Sequence, residues 1–218
     1  MEYKAFVFTD EEINRLKKSD TYMEKLIEVI GKLERNYTPD LFASLISCIV
    51  SQQLSNKAAE AIWNKFSAAL PELTPETIIS GSQEKFREVG LSNSKIRYIK
   101  NIAEAVITGN LVLEELNEKQ DVEIAEELLT IKGIGPWTVE MFLIFSLGRR
   151  DVLSYGDLGI RKGISWLYGI EGELTRSLFN AIAKKYSPDG TLASLYLWEI
   201  GDRNLYRYKS VYDSDLLG

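Results

Sequence analysis

The sequence contains no histidine and only one cysteine, Cys48, in 218 residues. Without histidine, Ser–His and Cys–His nucleophile pairs are excluded, along with most catalytic zinc sites. One cysteine excludes an internal disulfide, a four-cysteine iron–sulfur cluster and a cysteine zinc site, and it fits a reducing compartment. No apolar run approaches the ~20 residues that a membrane span needs. The opening segment, Met1 to Phe8, carries Glu2 and Lys4 and does not read as a secretory signal. A cytoplasmic protein is expected, or a nuclear one in a eukaryote. Chemistry must then rest on carboxylates, lysine, tyrosine, serine or backbone dipoles.

The chain is long enough for one large domain or two small ones sharing a cleft. Hydrophobic residues make up 45%, enough to bury an ordinary core. The net charge of −6 argues mildly against a general nucleic-acid coat protein. That charge is unevenly placed. Between 131 and 165, Lys132, Arg149, Arg150, Arg161 and Lys162 outnumber Glu140, Asp151 and Asp157. A basic face on an acidic body can still steer and seat DNA.

Periodicity is helical nearly throughout. Thr9 with Glu12 forms a capping box ahead of Ile13 and Leu16. Met23, Leu26, Ile27, Ile30 and Leu33 form one apolar stripe, and Phe42, Leu45, Ile46 and Ile49 another. Ser55 caps a helix carrying Ala59, Ile62, Trp63 and Phe66, with Trp63 assigned to the core. Thr74-Pro75 reads as an N-cap followed by a first-turn proline. Ser92 or Ser94 opens a helix that Gly109 closes. Two helices, 121–130 and 136–147, flank a short glycine-bearing turn. Others are expected at 158–167, 173–185 and 191–201. Strand signal is limited to a brief alternation from Tyr3 to Phe8. The reading is all-α, with about ten helices.

The segment Leu128-Leu129-Thr130-Ile131-Lys132-Gly133-Ile134-Gly135-Pro136-Trp137-Thr138 carries the most information. Gly133 and Gly135 permit positive φ and close backbone approach. Ile134 can plug between the helices while the turn's amides point outward. Those amides and the following helix N-terminus favour a phosphate oxygen. On spacing alone, a tight turn without ligand fits equally.

This hairpin resembles the helix-hairpin-helix of the DNA glycosylase superfamily, whose alkylation-repair branch includes 3-methyladenine DNA glycosylase II. In that branch an aspartate follows the hairpin at the spacing of Asp157, within Asp151-Val152-Leu153-Ser154-Tyr155-Gly156-Asp157-Leu158-Gly159. Ile49-Val50-Ser51-Gln52-Gln53-Leu54-Ser55 resembles its wedge segment. Gly90-Leu91-Ser92-Asn93-Ser94-Lys95 and Tyr196-Leu197-Trp198 resemble two further motifs. The resemblance runs from about 40 to 201 and implies two helical lobes around a central cleft. One lobe would be 37–149, and the other 1–36 with 150–218. An N-terminal β-rich domain found in longer members looks absent.

What the resemblance implies for function is specific. The partner is double-stranded DNA containing a damaged base, engaged by a monomer and with no membrane involved. Asp157 is the catalytic carboxylate, although an aspartate there also suits a helix N-cap. Trp137, Tyr155 and Trp198 are candidates for stacking a flipped base, with a core role open for Trp198. Gln53, or else Leu54, fills the gap left by the flipped nucleotide. The other reading of this segment has Gln52 and Gln53 capping a helix end, with Leu54 in the core. Lys132, Gly133, Ile134, Gly135 and Thr138 are the hairpin's DNA contacts, with a solvated-surface role equally open for Lys132. Bifunctional members place a nucleophilic lysine where Trp137 stands, so strand cleavage by that route is not expected. No cofactor is expected beyond a monovalent cation, Na+ or K+, on the backbone carbonyls of Leu129, Ile131 and Ile134. Many relatives carry proline where Ser154 or Tyr155 stands, which bears on lesion choice. Excision of an oxidised or deaminated base, a non-catalytic DNA-gripping module and a helical protein scaffold remain as other readings.

Overall fold

The computed structural model describes residues 3–217 and is helical almost throughout. A short strand, β1 (Lys4–Ala5), pairs with β2 (Asn36–Tyr37). Between them lie α1 (Asp10–Ser19) and α2 (Thr21–Ile30). Next come α3 (Leu41–Ser51), α4 (Asn56–Ala69), α5 (Pro75–Ser80), α6 (Gln83–Glu88) and α7 (Asn93–Ile107). A 3-10 turn at Leu113–Asn117 leads to α8 (Asp121–Leu129) and α9 (Pro136–Phe145). The chain continues through α10 (Leu158–Leu167), α11 (Arg176–Tyr186) and α12 (Gly190–Asp202), then a 3-10 turn at Leu205–Arg207 and α13 (Ser214–Leu217).

The chain divides into two compact units. One comprises Met1–Lys4 and Thr38–Leu147; the other comprises Ala5–Tyr37 and Gly148–Gly218.

In the first unit α3 is the hub. Phe42, Leu45, Ile46, Ile49 and Val50 are all buried, against helices α4, α7 and α9. Ile96, Ile99 and Ile102 of α7 line the same core, as do Val139, Phe142 and Ile144 of α9. Each such side chain withdraws apolar surface worth roughly 1.5–3 kcal/mol from water. Inside this core the Ser44 and Ser146 hydroxyls hydrogen-bond to each other.

In the second unit α12 is buried over nearly its whole length, from Gly190 to Ile200. It packs against α10 through Ile160, Ile164 and Leu167. A Cβ on Gly163 would lie 2.9 Å from the Leu197 carbonyl oxygen, so glycine is what lets the two helices approach.

The capping signals operate as the residues suggest. Thr9 and Glu12 form a reciprocal capping box, and Ser55, Thr74 and Ser92 each accept a backbone N–H at a helix start. Four local readings need correction. The Met23 stripe stops at Ile30, because Gly31 caps α2 at φ 74°, and Leu33 lies beyond it. The helix expected at 173 starts at Arg176, where the Thr175 hydroxyl caps it. Trp63 is half-buried against Phe66 rather than enclosed. The alternation at Tyr3 to Phe8 yields only the two residues of β1.

Candidate active site

The first unit carries the hairpin. Helix α8 ends at Leu129, and the turn closes on itself: the Ile131 amide donates to the Leu128 carbonyl and the Ile134 amide to the Ile131 carbonyl, at 3.1 and 3.0 Å. Ile134 is the plug, only 6% exposed. Both its side chain and its N–H are therefore spent inside the turn, and it does not offer the outward amide expected from the sequence. Gly133 adopts φ 113°, and a Cβ there would sit 2.3 Å from the Tyr98 ring, so the turn requires glycine twice over. Gly135 differs: its φ is −115°, and a Cβ would meet nothing within 4 Å. Nothing inside the fold demands glycine at 135, and the open space lies at the N-terminus of α9. Lys132 is exposed, and its carbonyl accepts from Asn101 Nδ2 at 2.8 Å. Trp137 is half-buried as the second residue of α9.

Thr138 corrects a sequence expectation. It is 1% exposed, so its side chain is not a DNA contact. Its hydroxyl instead accepts from the Gln52 amide at 2.9 Å, and the same Nε2 donates to the Gly133 carbonyl at 3.0 Å. Gln52, which also caps the end of α3, thus ties the α3–α4 loop to the hairpin. A second tie comes from α7, where Lys95 Nζ donates to the Val50 carbonyl at 2.7 Å. Burial holds that ammonium's pKa below the ordinary lysine value. Immediately after these anchors Gln53 is exposed and left-handed, at φ 56°. Leu54 is 37% exposed, which removes the core role considered for it. The loop therefore presents two side chains outward from a base fixed at two points.

The second unit carries Asp157. It is the N-cap of α10, with Oδ1 accepting the Ile160 amide at 2.9 Å. The same oxygen accepts the Trp198 indole N–H at 3.0 Å. Trp198 is half-buried on α12, so helix and indole together fix the carboxylate's direction. A Cβ on Gly159 would lie 3.0 Å from Trp198 Cδ1 and 3.1 Å from Asp157 Oδ1, tighter than ordinary packing. Gly159 thereby admits the contact. Tyr206 lies close enough for the Asp157 charge, after burial, to raise its hydroxyl pKa above the usual phenol value.

Tyr155, two residues before Asp157, has a different role from the one expected. Its ring meets Phe179 edge-on at 5.1 Å, with the Arg176 guanidinium 4.1 Å and the Arg161 guanidinium 5.4 Å from its centroid. Its hydroxyl donates to the Leu174 carbonyl at 3.3 Å. The ring braces the loop ahead of α10 instead of presenting a stacking face.

A glycine-turned hairpin plugged by isoleucine, an outward-projecting loop pinned to it and a helix-capping aspartate held by an indole are features of one class of DNA repair protein. The description HhH-GPD superfamily base excision DNA repair protein matches residues 46–188, and the chain belongs to that superfamily. It is 37% identical over 187 residues to DNA-3-methyladenine glycosylase 1 of Schizosaccharomyces pombe, covering 83% of this chain and 82% of that protein. The solved structure of the S. pombe 3-methyladenine DNA glycosylase in complex with abasic DNA superposes with a TM-score of 0.83 at 36% identity, over 89% of this chain and 97% of that one. A DNA-3-methyladenine glycosidase from Bacillus halodurans superposes with a TM-score of 0.78 at 38% identity, over 98% of each chain.

Proposed function

We propose that the chain is a monofunctional DNA glycosylase that flips an alkylated purine of the 3-methyladenine type out of duplex DNA and hydrolyses its N-glycosidic bond, as the first step of base excision repair. The observation that carries this is the Asp157 carboxylate, fixed by the α10 amide and the Trp198 indole within the superfamily's fold. Breaking the bond places positive charge on the deoxyribose. A carboxylate already oriented toward that sugar stabilises the charge without reorganising, and it can orient or deprotonate the attacking water. Two donors on Oδ1 provide that preorganisation.

Other parts follow from their chemistry. Gln53 and Leu54, exposed on a pinned loop, suit the space vacated by the flipped nucleotide. The open face at Gly135 and the α9 N-terminus suit a DNA phosphate. An electron-rich indole, Trp137 or Trp198, attracts a cationic alkylated base by about 0.5–2 kcal/mol. Trp137 has no amine, so hydrolysis without a Schiff base is the route.

For the monovalent cation, the carbonyls of Leu129, at the end of α8, and of Ile131 and Ile134, in the turn after it, would be the oxygen donors; the Ile131 carbonyl also accepts the Ile134 amide and keeps a second lone pair. No cluster of three or more histidine, cysteine or acidic side chains suited to a metal occurs among the described residues. That donor set fits Na+ or K+, which would add positive charge beside a bound phosphate. Among the described residues no helix is long and apolar enough to cross a membrane, and the proposed activity suits a protein that works beside DNA, in the cytoplasm or in a nucleus.

The test is chromatography of bases released from methylated duplex DNA. Free 3-methyladenine or 7-methylguanine with the strand uncut supports the proposal. Release only from 8-oxoguanine or uracil duplexes moves the substrate, and no release from any duplex removes the enzyme.

A further inference from the structure

Beside Asp157, but not lined by it, the second unit holds a groove open to solvent of about 480 Å³. That size falls within the ~300–1,000 Å³ of small-molecule sites. Its walls are Leu158, Arg161, Lys162 and Trp166 of α10, with Glu173 and Tyr206 opposite. Two cations face one carboxylate, in a chain whose net charge is −6. Trp166 and Tyr206 supply aromatic surface, with ring centroids 6.4 Å apart and planes at 90°. Leu158, immediately after Asp157, stands 55% exposed at the groove's edge.

The charge sign decides what this groove takes. A cationic alkylated base would meet two like charges, so the groove is unsuited to the lesion itself. A phosphate is matched. Arg161 and Lys162 both line the groove, one helical position apart, so it is walled on that side by a guanidinium and an ammonium. Guanidinium donors pair with phosphate oxygens in charge-assisted bonds. Aromatic surface beside cations is the arrangement that binds nucleotides without reading sequence, by stacking and backbone attraction. Position agrees with this. Arg161 lies one helical turn beyond Asp157, about 6 Å along the helix axis, so a strand whose sugar meets Asp157 passes the groove within one nucleotide.

We infer that this groove binds the nucleotide flanking the lesion on the damaged strand, with its phosphate on Arg161 and Lys162 and its base against Trp166 and Tyr206. The inference rests on the glycosylase reading, and the site would hold the strand in register while the neighbouring base is flipped.

The test uses the full chain and a duplex containing a tetrahydrofuran abasic analogue. Binding is followed by fluorescence anisotropy from low to moderate KCl. Lys162→Gln and Arg161→Gln are compared with Lys184→Gln, which removes one exposed charge from α11 outside the groove. Each lost phosphate contact lowers the slope of log K against log salt by about 0.9. The expected result is that loss for each groove variant and little change for Lys184→Gln. Equal slopes in wild type and groove variants, or an equal loss in Lys184→Gln, would overturn the inference. A second readout places 2-aminopurine on either side of the abasic analogue. Tyr206→Leu is expected to relieve its quenching on one side, and quenching unchanged on both sides would contradict the stacking role. If wild type itself shows no salt-dependent binding, the glycosylase reading fails and the inference with it. Wild-type binding with unaffected groove variants removes the groove alone.

Discussion

The indole N–H of Trp198 and the backbone N–H of Ile160 converge on one oxygen, Asp157 Oδ1, at 3.0 and 2.9 Å. An N-cap alone leaves a carboxylate some freedom to turn about its Cβ–Cγ bond. A second donor from another helix fixes that rotation, which makes an ordinary capping aspartate into a directed charge.

Trp198→Phe keeps most of the ring and removes the donor. A hydrogen bond to a charged group contributes about 1.5–3 kcal/mol, so single-turnover base release is expected to fall about 10- to 100-fold with duplex affinity nearly unchanged. Gly159→Ala pushes a methyl against both partners and is expected to act in the same direction. Wild-type rates in both variants would show that the indole does not orient the carboxylate.

The two hairpin glycines are expected to separate folding from binding. Gly133→Ala combines a left-handed φ with a clash against Tyr98. It should cost more than the ~1–3 kcal/mol of backbone strain alone, read as a lowered urea midpoint. Gly135→Ala meets no atom within 4 Å and should leave that midpoint nearly unchanged, yet weaken duplex binding by crowding the phosphate. Unchanged binding in Gly135→Ala would mean that no phosphate approaches there.

The loop bearing Gln53 depends on its anchors. Gln52→Ala releases it from the hairpin, and Lys95→Met releases it from α7. Small misplacements cost catalysis heavily, and about 10-fold or more in base release at saturating enzyme is expected for each. Partial recovery in Lys95→Arg would mark positioning by a cation. A change confined to thermal stability would mark a purely structural bond.

Borohydride added during reaction with methylated duplex should trap no covalent protein–DNA adduct, since Trp137 cannot form a Schiff base. A trapped adduct, mapped to its lysine, would identify a lyase route.

How much of this was legible in the sequence depends on how local each interaction is. Caps such as Thr9–Glu12 and Asp157–Ile160 span three residues and follow from residue type and order. The hairpin is likewise local. The Gln52–Gly133 and Trp198–Asp157 bonds span 81 and 41 residues and have no periodic signature. Thr138 was misplaced because α9 is apolar on almost every side, from Val139 through Ile144, so the pattern marks no outer face. Tyr155 was misplaced because its partners, Phe179 and Arg176, come from another helix. The α6 helix carries no periodic signature for a similar reason, being short and held by a Ser82 cap and a single buried side chain, Phe86.

The most direct test compares wild type with Asp157→Asn on methylated duplex DNA. Asparagine caps helices about as well as aspartate, so the fold and duplex binding are expected to survive. Release of 3-methyladenine should fall by about 10²-fold or more, the usual loss when one aimed electrostatic group is removed. Equal release by the two proteins would leave Asp157 as a helix cap and place the chemistry elsewhere.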